Sequence, residues 1–205
     1  MCSIFGSFDF EIIKSLSKLN SYRGSHSYSY SIIDSDFNIT VSRGFGALPL
    51  DDINPPDNSY ILCHQQAPTT EAKDEKSIHP SYLKDEYLWH NGILKEKTIS
   101  ELQKELDDYS EWDTHLLLKL LQNNISLDNI DGSFSCVYYK NKKLFLFRNS
   151  ISPLFIDHDM NISSTKFNNS FQTPENSIIE FNPFAKTTDI IKYFNNISSP
   201  YYFGE

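Results

Sequence analysis

An α+β fold with antiparallel sheets layered against helices follows from the order in which hydrophobic patterns succeed one another along this chain. A strand and an amphipathic helix come first, several strands follow, then two or three helices, then strands again. Regular strand–helix alternation is missing, which argues against a parallel sheet. No internal repeat and no Pro/Gly/Ser-rich linker divides the sequence, so residues 1–205 read as one domain, long enough for a sizeable core.

The elements can be taken in order. Residues 2–8 form a short apolar stretch that suits a strand. Phe10, Ile12, Ile13, Leu16 and Leu19 recur near helical spacing, which predicts an amphipathic helix over 9–20. A polar turn at 22–27 leads to Tyr28, Tyr30 and Ile32, which alternate with polar residues as in a half-buried strand. Asp34-Ser35-Asp36 suits a hairpin turn into a strand over 37–42. Two glycines and three prolines make 44–58 a loop, and 60–65 a core strand. The polar segment 67–84 is too long for a hairpin and reads as a functional loop.

Glu86 to His90 predicts a strand ending in an Asn91-Gly92 turn. Thr98 or Ser100 can cap a helix through Leu106, with Ser100 and Gln103 spaced as a capping box. A leucine-rich helix is expected over 112–121 and a short one over 126–130. Strands return at 133–139 and 143–148, joined by a turn at Asn141-Lys142, and shorter ones at 153–156, 161–163, 177–181 and 188–193.

Composition narrows function by exclusion. Eighteen basic residues against 27 acidic ones give a net charge of −9, which repels a phosphate backbone and argues against nucleic-acid binding. No apolar run approaches a membrane span of ~18 residues, and the N-terminus lacks a signal-peptide pattern. A cytoplasmic protein is therefore expected. Three cysteines without CxxC spacing suit reduced thiols, and Cys63 and Cys136 sit in apolar runs as core fillers. The histidines form no HExxH motif and no Cys/His cluster, so no metal is expected. GxGxxG and GxxxxGK[ST] patterns are absent too, so no cofactor or nucleotide is expected.

The most unusual stretch is Met1-Cys2-Ser3-Ile4-Phe5-Gly6-Ser7. A small second residue permits methionine removal, which would leave Cys2 with both a thiol and a free α-amine. That amine, with a reference pKa of about 7.7–8.0, could deprotonate the thiol of its own residue. Alternatively, Cys2 is a buried thiol at the start of an edge strand.

Four stretches follow that cysteine in order: Arg23-Gly24-x-x-Ser27, His64-x-x-x-Pro68-Thr69, His90-Asn91-Gly92-Ile93-Leu94 and Glu111-x-Asp113-Thr114. Together they resemble the glutaminase domain of class II glutamine amidotransferases, the N-terminal nucleophile group shared by glucosamine-6-phosphate synthase, amidophosphoribosyltransferase and asparagine synthetase. The likeness spans roughly residues 2–165, and Arg148-Asn149-Ser150-x-Ser152-Pro153-Leu154-Phe155 adds a further segment to it. The resemblance implies a four-layer αββα sandwich of two antiparallel sheets, the N-terminal nucleophile hydrolase fold.

It also implies roles. Cys2 would attack the side-chain amide of glutamine, with the oxyanion held by the Asn91 amide and the Gly92 backbone N–H. Asp113 matches the residue that binds the substrate ammonium, with a helix N-cap as its alternative role. Thr69 matches a donor to the substrate carboxylate, and Arg23 an arginine that orders the loop beside the nucleophile. Their alternatives are a loop hydroxyl and an exposed turn arginine. His79-Pro80 matches a structural element of the sugar-phosphate branch. No synthase domain follows, so the resemblance implies a separate amidating partner that consumes the ammonia.

Three positions depart from the family pattern. Gln66 stands where an arginine usually grips the α-carboxylate, His26 where aspartate is usual, and Asn149 where aspartate is usual. Exchanging a charge-assisted fork for neutral hydrogen bonds at position 66 implies glutamine binding weaker by roughly one to two powers of ten, unless Lys73 supplies the charge.

Overall fold

The computed structural model describes residues 2–67 and 75–196. Strand β1 (Ser3–Ser7) and helix α1 (Phe10–Asn20) open the chain, followed by β2 (Ser27–Ile33), β3 (Ile39–Phe45) and β4 (Tyr60–Gln66). Next come β5 (Ser81–Leu83), β6 (Glu86–Leu94), α2 (Glu96–Leu106) and α3 (Asp113–Gln122). Then β7 (Gly132–Lys140), β8 (Lys143–Arg148), β9 (Phe155–Ile156) and β10 (Ile162–Ser163) follow. The last described strands are β11 (Phe171–Gln172), β12 (Ser177–Asn182) and β13 (Thr187–Tyr193).

Two antiparallel sheets result. One runs β11-β9-β10-β1-β4-β2-β3 and the other β13-β12-β8-β7-β6-β5. Strand alternation sorts the side chains into three apolar layers. Ile4, Leu62, Trp89, Val137, Leu146 and Phe181 pack between the sheets. Phe5, Ile61 and Cys63 point the other way, against Ile13 and Leu16 of α1. Leu88, Phe134 and Phe147 meet Leu102 of α2 and the leucines of α3. The architecture is the αββα sandwich.

Local chemistry explains each helix. Asp9 caps α1, its Oδ1 accepting from the Glu11 N–H at 2.8 Å. The α3 leucines 116, 117, 118 and 120 are all buried, each contributing about 1.5–3 kcal/mol of transfer free energy. Helix α2 starts at Glu96 with Lys95 at its N-cap, which puts Ser100 inside the helix and rules out the capping box read from the sequence.

Two other expectations are corrected. Residues 126–130 form turns where a short helix was expected. Asn91-Gly92 is no turn: β6 runs through it to Leu94, with Asn91 opposite Ser135 and Gly92 opposite Phe134 on β7. The pairing with β7 runs from Tyr87 to Leu94, and this outweighs the local turn preference of an Asn-Gly pair.

After β8 the chain turns on Asn149, which is fully buried. Its Oδ1 accepts from the N–H groups of Phe134, Ile151 and Ser152 at 3.2–3.3 Å, and its Nδ2 donates to Gly132 O at 2.8 Å. Asn149→Ala strands three backbone donors and should cost about 3 kcal/mol or more in urea unfolding. Asn149→Asp keeps the accepting oxygen but sets its second oxygen against Gly132 O, so it too should destabilise the fold; a loss under about 1 kcal/mol in Asn149→Ala would show that these bonds do not hold the turn.

Candidate active site

Strand alternation fixes which side chains meet between the sheets. Ile4 lies in the inter-sheet core and Phe5 on the α1 side, so Cys2 falls on the inter-sheet face at the start of β1. Leu62 marks the same face of β4, and with it His64 and Gln66. Trp89 marks it on β6, which turns Asn91 inward and sends His90 and Gly92 toward α3. Ser3 pairs with Gln65, so Cys2 and Gln66 come level at the same end of the sheet.

Asn91 is tied to the strand that carries Cys2. Its Nδ2 donates to Ser164 Oγ at 3.2 Å and more distantly to Ser135 Oγ at 3.4 Å. Ser164 Oγ also accepts from Ile4 N–H at 3.0 Å, and the Ser164 N–H donates to Ile4 O at 2.8 Å. Arg23 braces the same corner: its Nη1 donates to Cys2 O at 3.4 Å, its Nη2 to Ser164 O at 3.5 Å and its Nε to Thr165 Oγ1 at 3.1 Å. The guanidinium therefore holds backbone on both sides of the Cys2 corner. Beside Asn91, an added Cβ at Gly92 would sit 1.9 Å from Ser133 O, so a close backbone approach makes glycine obligatory there.

Gln66 has no exposed surface, and both ends of its amide are engaged inside the protein. Oε1 accepts from Ser27 Oγ at 3.2 Å and from His79 Nδ1 at 3.1 Å, and Nε2 donates to Ser77 O at 3.4 Å. His79 stacks on His64 with ring centres 3.9 Å apart, and its Nε2 lies 3.0 Å from Thr114 Oγ1. His64 Nε2 reaches His90 O at 3.1 Å, linking the two sheets. His90 turns its Nδ1 to Thr114 Oγ1 at 3.2 Å and its Nε2 to Ser133 O at 3.3 Å.

Asp113 opens α3. Its Oδ2 accepts from Leu94 N–H at 3.2 Å and its Oδ1 from Thr114 N–H at 2.7 Å, and the carboxylate stays partly exposed. It thus serves the first turn of its helix and still presents charge to solvent. Thr69 and Lys73 lie outside the described residues.

All three thiols are buried, Cys2 keeping 5% of its surface exposed and Cys63 and Cys136 none. Burial pushes the Cys63 and Cys136 thiols up, and the Asp113 charge adds to the effect at Cys136. Both stay protonated at neutral pH and are poor nucleophiles. Among the described residues no three of His, Cys, Asp and Glu form a metal-holding group. No described helix is long and apolar enough to cross a membrane.

No protein-family model matches the sequence, and no curated protein matches it. Solved structures do. Glutamine phosphoribosylpyrophosphate amidotransferase from B. subtilis, complexed with ADP and GMP, aligns with a TM-score of 0.68 at 14% identity, over 96% of this chain and 50% of that one. A structure described as the allosteric regulatory enzyme of purine biosynthesis aligns with a TM-score of 0.72, also at 14% identity and over 96% and 50%. The chain shares the fold of these two structures. It spans about half the length of each of these two structures.

Sequence reasoning placed Ser27 in the Arg23 stretch but did not single out Ser135 or Ser164, although each holds Asn91. A serine in a strand or just past one carries no pattern that marks it. Two outcomes check this geometry. Gly92→Ala should lose the folded state or at least about 3 kcal/mol of it, by urea titration, since the clash is with backbone. In the folded protein with Met1 removed, alkylation followed by peptide mass mapping should find label at Cys2, with Cys63 and Cys136 reacting only after unfolding.

Proposed function

We propose that this chain is a class II glutamine amidotransferase domain that hydrolyses glutamine to glutamate and ammonia through Cys2. The observation that carries the reading is the corner where Cys2 immediately precedes a central strand, on the same inter-sheet face as Asn91 and linked to it through Ile4 and Ser164. The fold shared with the amidotransferases supports it.

In this reading, removal of Met1 frees the Cys2 α-amine, which takes the thiol proton. The thiolate sulfur bonds to the amide carbon, and the oxyanion is held by an Asn91 amide hydrogen and the Gly92 N–H. The longer bond from Asn91, to Ser135, is the one given up. Collapse breaks the C–N bond as the α-ammonium returns its proton to the leaving nitrogen, releasing ammonia and leaving a thioester. Water then attacks the thioester carbon, the C–S bond breaks, and glutamate departs with the thiol restored. Each oxyanion donor is worth about 2.7–4 kcal/mol in such sites.

Asp113 takes the substrate ammonium, and Thr69 with Lys73 is assigned the carboxylate. Arg23 holds the backbone at the Cys2 corner. Gln66 supports the site from behind, since its amide is engaged by Ser27, His79 and Ser77. No cofactor is needed. The ammonia passes to a separate synthetase or amidating enzyme, and the proposed compartment is the cytoplasm.

The buried Gln66 amide favours a second reading, in which the chain acts on an amide without a free α-carboxylate, or binds one without turnover. Intact mass before and after treatment with an electrophilic glutamine analogue, run beside a glutaminase assay, separates these readings. Loss of Met1, one adduct at Cys2 and glutamate release support the glutaminase. Glutamate release by Cys2→Ala at the wild-type rate would sink it. Asp113→Asn should raise KM for glutamine roughly 10–100-fold, the worth of one charge-assisted bond.

A further inference from the structure

The hydroxyl of Thr114 is the meeting point of three groups that come from three parts of the fold. His79 Nε2 lies 3.0 Å away, His90 Nδ1 3.2 Å and Asp113 Oδ1 3.3 Å. Thr114 itself is fully buried at the start of α3. A hydroxyl has one proton to give and two lone pairs to receive with. The three neighbours therefore cannot be satisfied independently of one another.

The far sides of both rings narrow the choices. His79 Nδ1 faces Gln66 Oε1, an oxygen whose identity is set by Ser77 O on the other amide arm, so Nδ1 carries the hydrogen. His90 Nε2 faces the Ser133 carbonyl and must donate as well. The ring nitrogens turned toward Thr114 then compete with the Asp113 carboxylate for the one hydroxyl proton. Asp113 Oδ2 also approaches His90 Nδ1, at 3.8 Å. Whichever group takes the Thr114 proton decides how the other two are hydrogen-bonded.

We propose that Thr114 is a positioning residue of this site: with the tautomers set from the far sides of the rings, its hydroxyl fixes the orientation of His79 and His90 together and holds the Asp113 carboxylate beside them. Through His79 it reaches Gln66 and the end of β4, and through His90 it reaches the backbone beside Asn91. Through Asp113 it reaches the charge that receives the substrate ammonium. The inference rests on the glutaminase reading for its effect on substrate, while the hydrogen-bond arrangement is independent of that reading.

The test uses the full chain with Met1 removed and the variants Thr114→Val and Thr114→Ser. Long-range proton–nitrogen spectra of the histidine rings in the wild type should show His79 carrying hydrogen on Nδ1 and His90 on Nε2. A bare Nδ1 on His79 or a bare Nε2 on His90 overturns the arrangement without any variant. Thr114→Val should change the ring signals of both histidines, and Thr114→Ser should keep them. With glutamine, Thr114→Val should raise KM roughly 10–100-fold while kcat falls less than about threefold, and Thr114→Ser should restore KM to within about threefold. An unchanged KM in Thr114→Val, or an equal fall in kcat for both variants, overturns the positioning role. A wild type that neither labels at Cys2 nor releases glutamate refutes the glutaminase reading instead, and the ring spectra still decide the arrangement.

Discussion

The site depends on a few buried hydrogen bonds that tie one sheet to the other at a single end of the sandwich. Along most of their length the sheets meet through apolar side chains, whose attraction is non-directional and tolerates sliding. Asn91 to Ser164, Ser164 to Ile4, and His64 to the His90 carbonyl do not tolerate it, because each has a donor and an acceptor at fixed positions. Inside a protein, a buried polar group that loses its partner costs about 1–3 kcal/mol. Registry at this end is therefore set by polar contacts, and β1 is held where Cys2, the residue just before it, faces the interior.

Behind these ties stands α3. Its leucines bury against the outer face of the second sheet and hold the helix start in place, with Asp113 and Thr114 at its first two positions. The buried leucines and the two residues of the proposed site thus share one short segment. Gly92 serves the same end, since the approach of Ser133 O leaves room for no side chain.

Much of the architecture was legible. The 3.6-residue spacing of Phe10, Ile13 and Leu16 and the leucine run at 116–120 marked α1 and α3, because amphipathic periodicity reports burial directly. Alternation marked β2, β4 and β7. Boundaries and turns were less legible. The Asn91-Gly92 pair has a strong local turn preference, and only its partner strand β7 overrides that. The two-residue strands are too short to show any period.

Of the candidate site, the sequence by itself determined the residue types available: a cysteine at position 2, an Asn-Gly pair, an acidic residue at a helix start and a glutamine where a cation was expected. Tertiary structure alone decided their partners. Ser164 reaches Ile4 from 160 positions away, and Asn20 reaches Ser163 from 143. Gln66 finds its partners in Ser27, Ser77 and His79, none of which its own place in the sequence announces. Hydrogen bonds are short-ranged and directional, so which groups they join is settled only when the sheets close on each other.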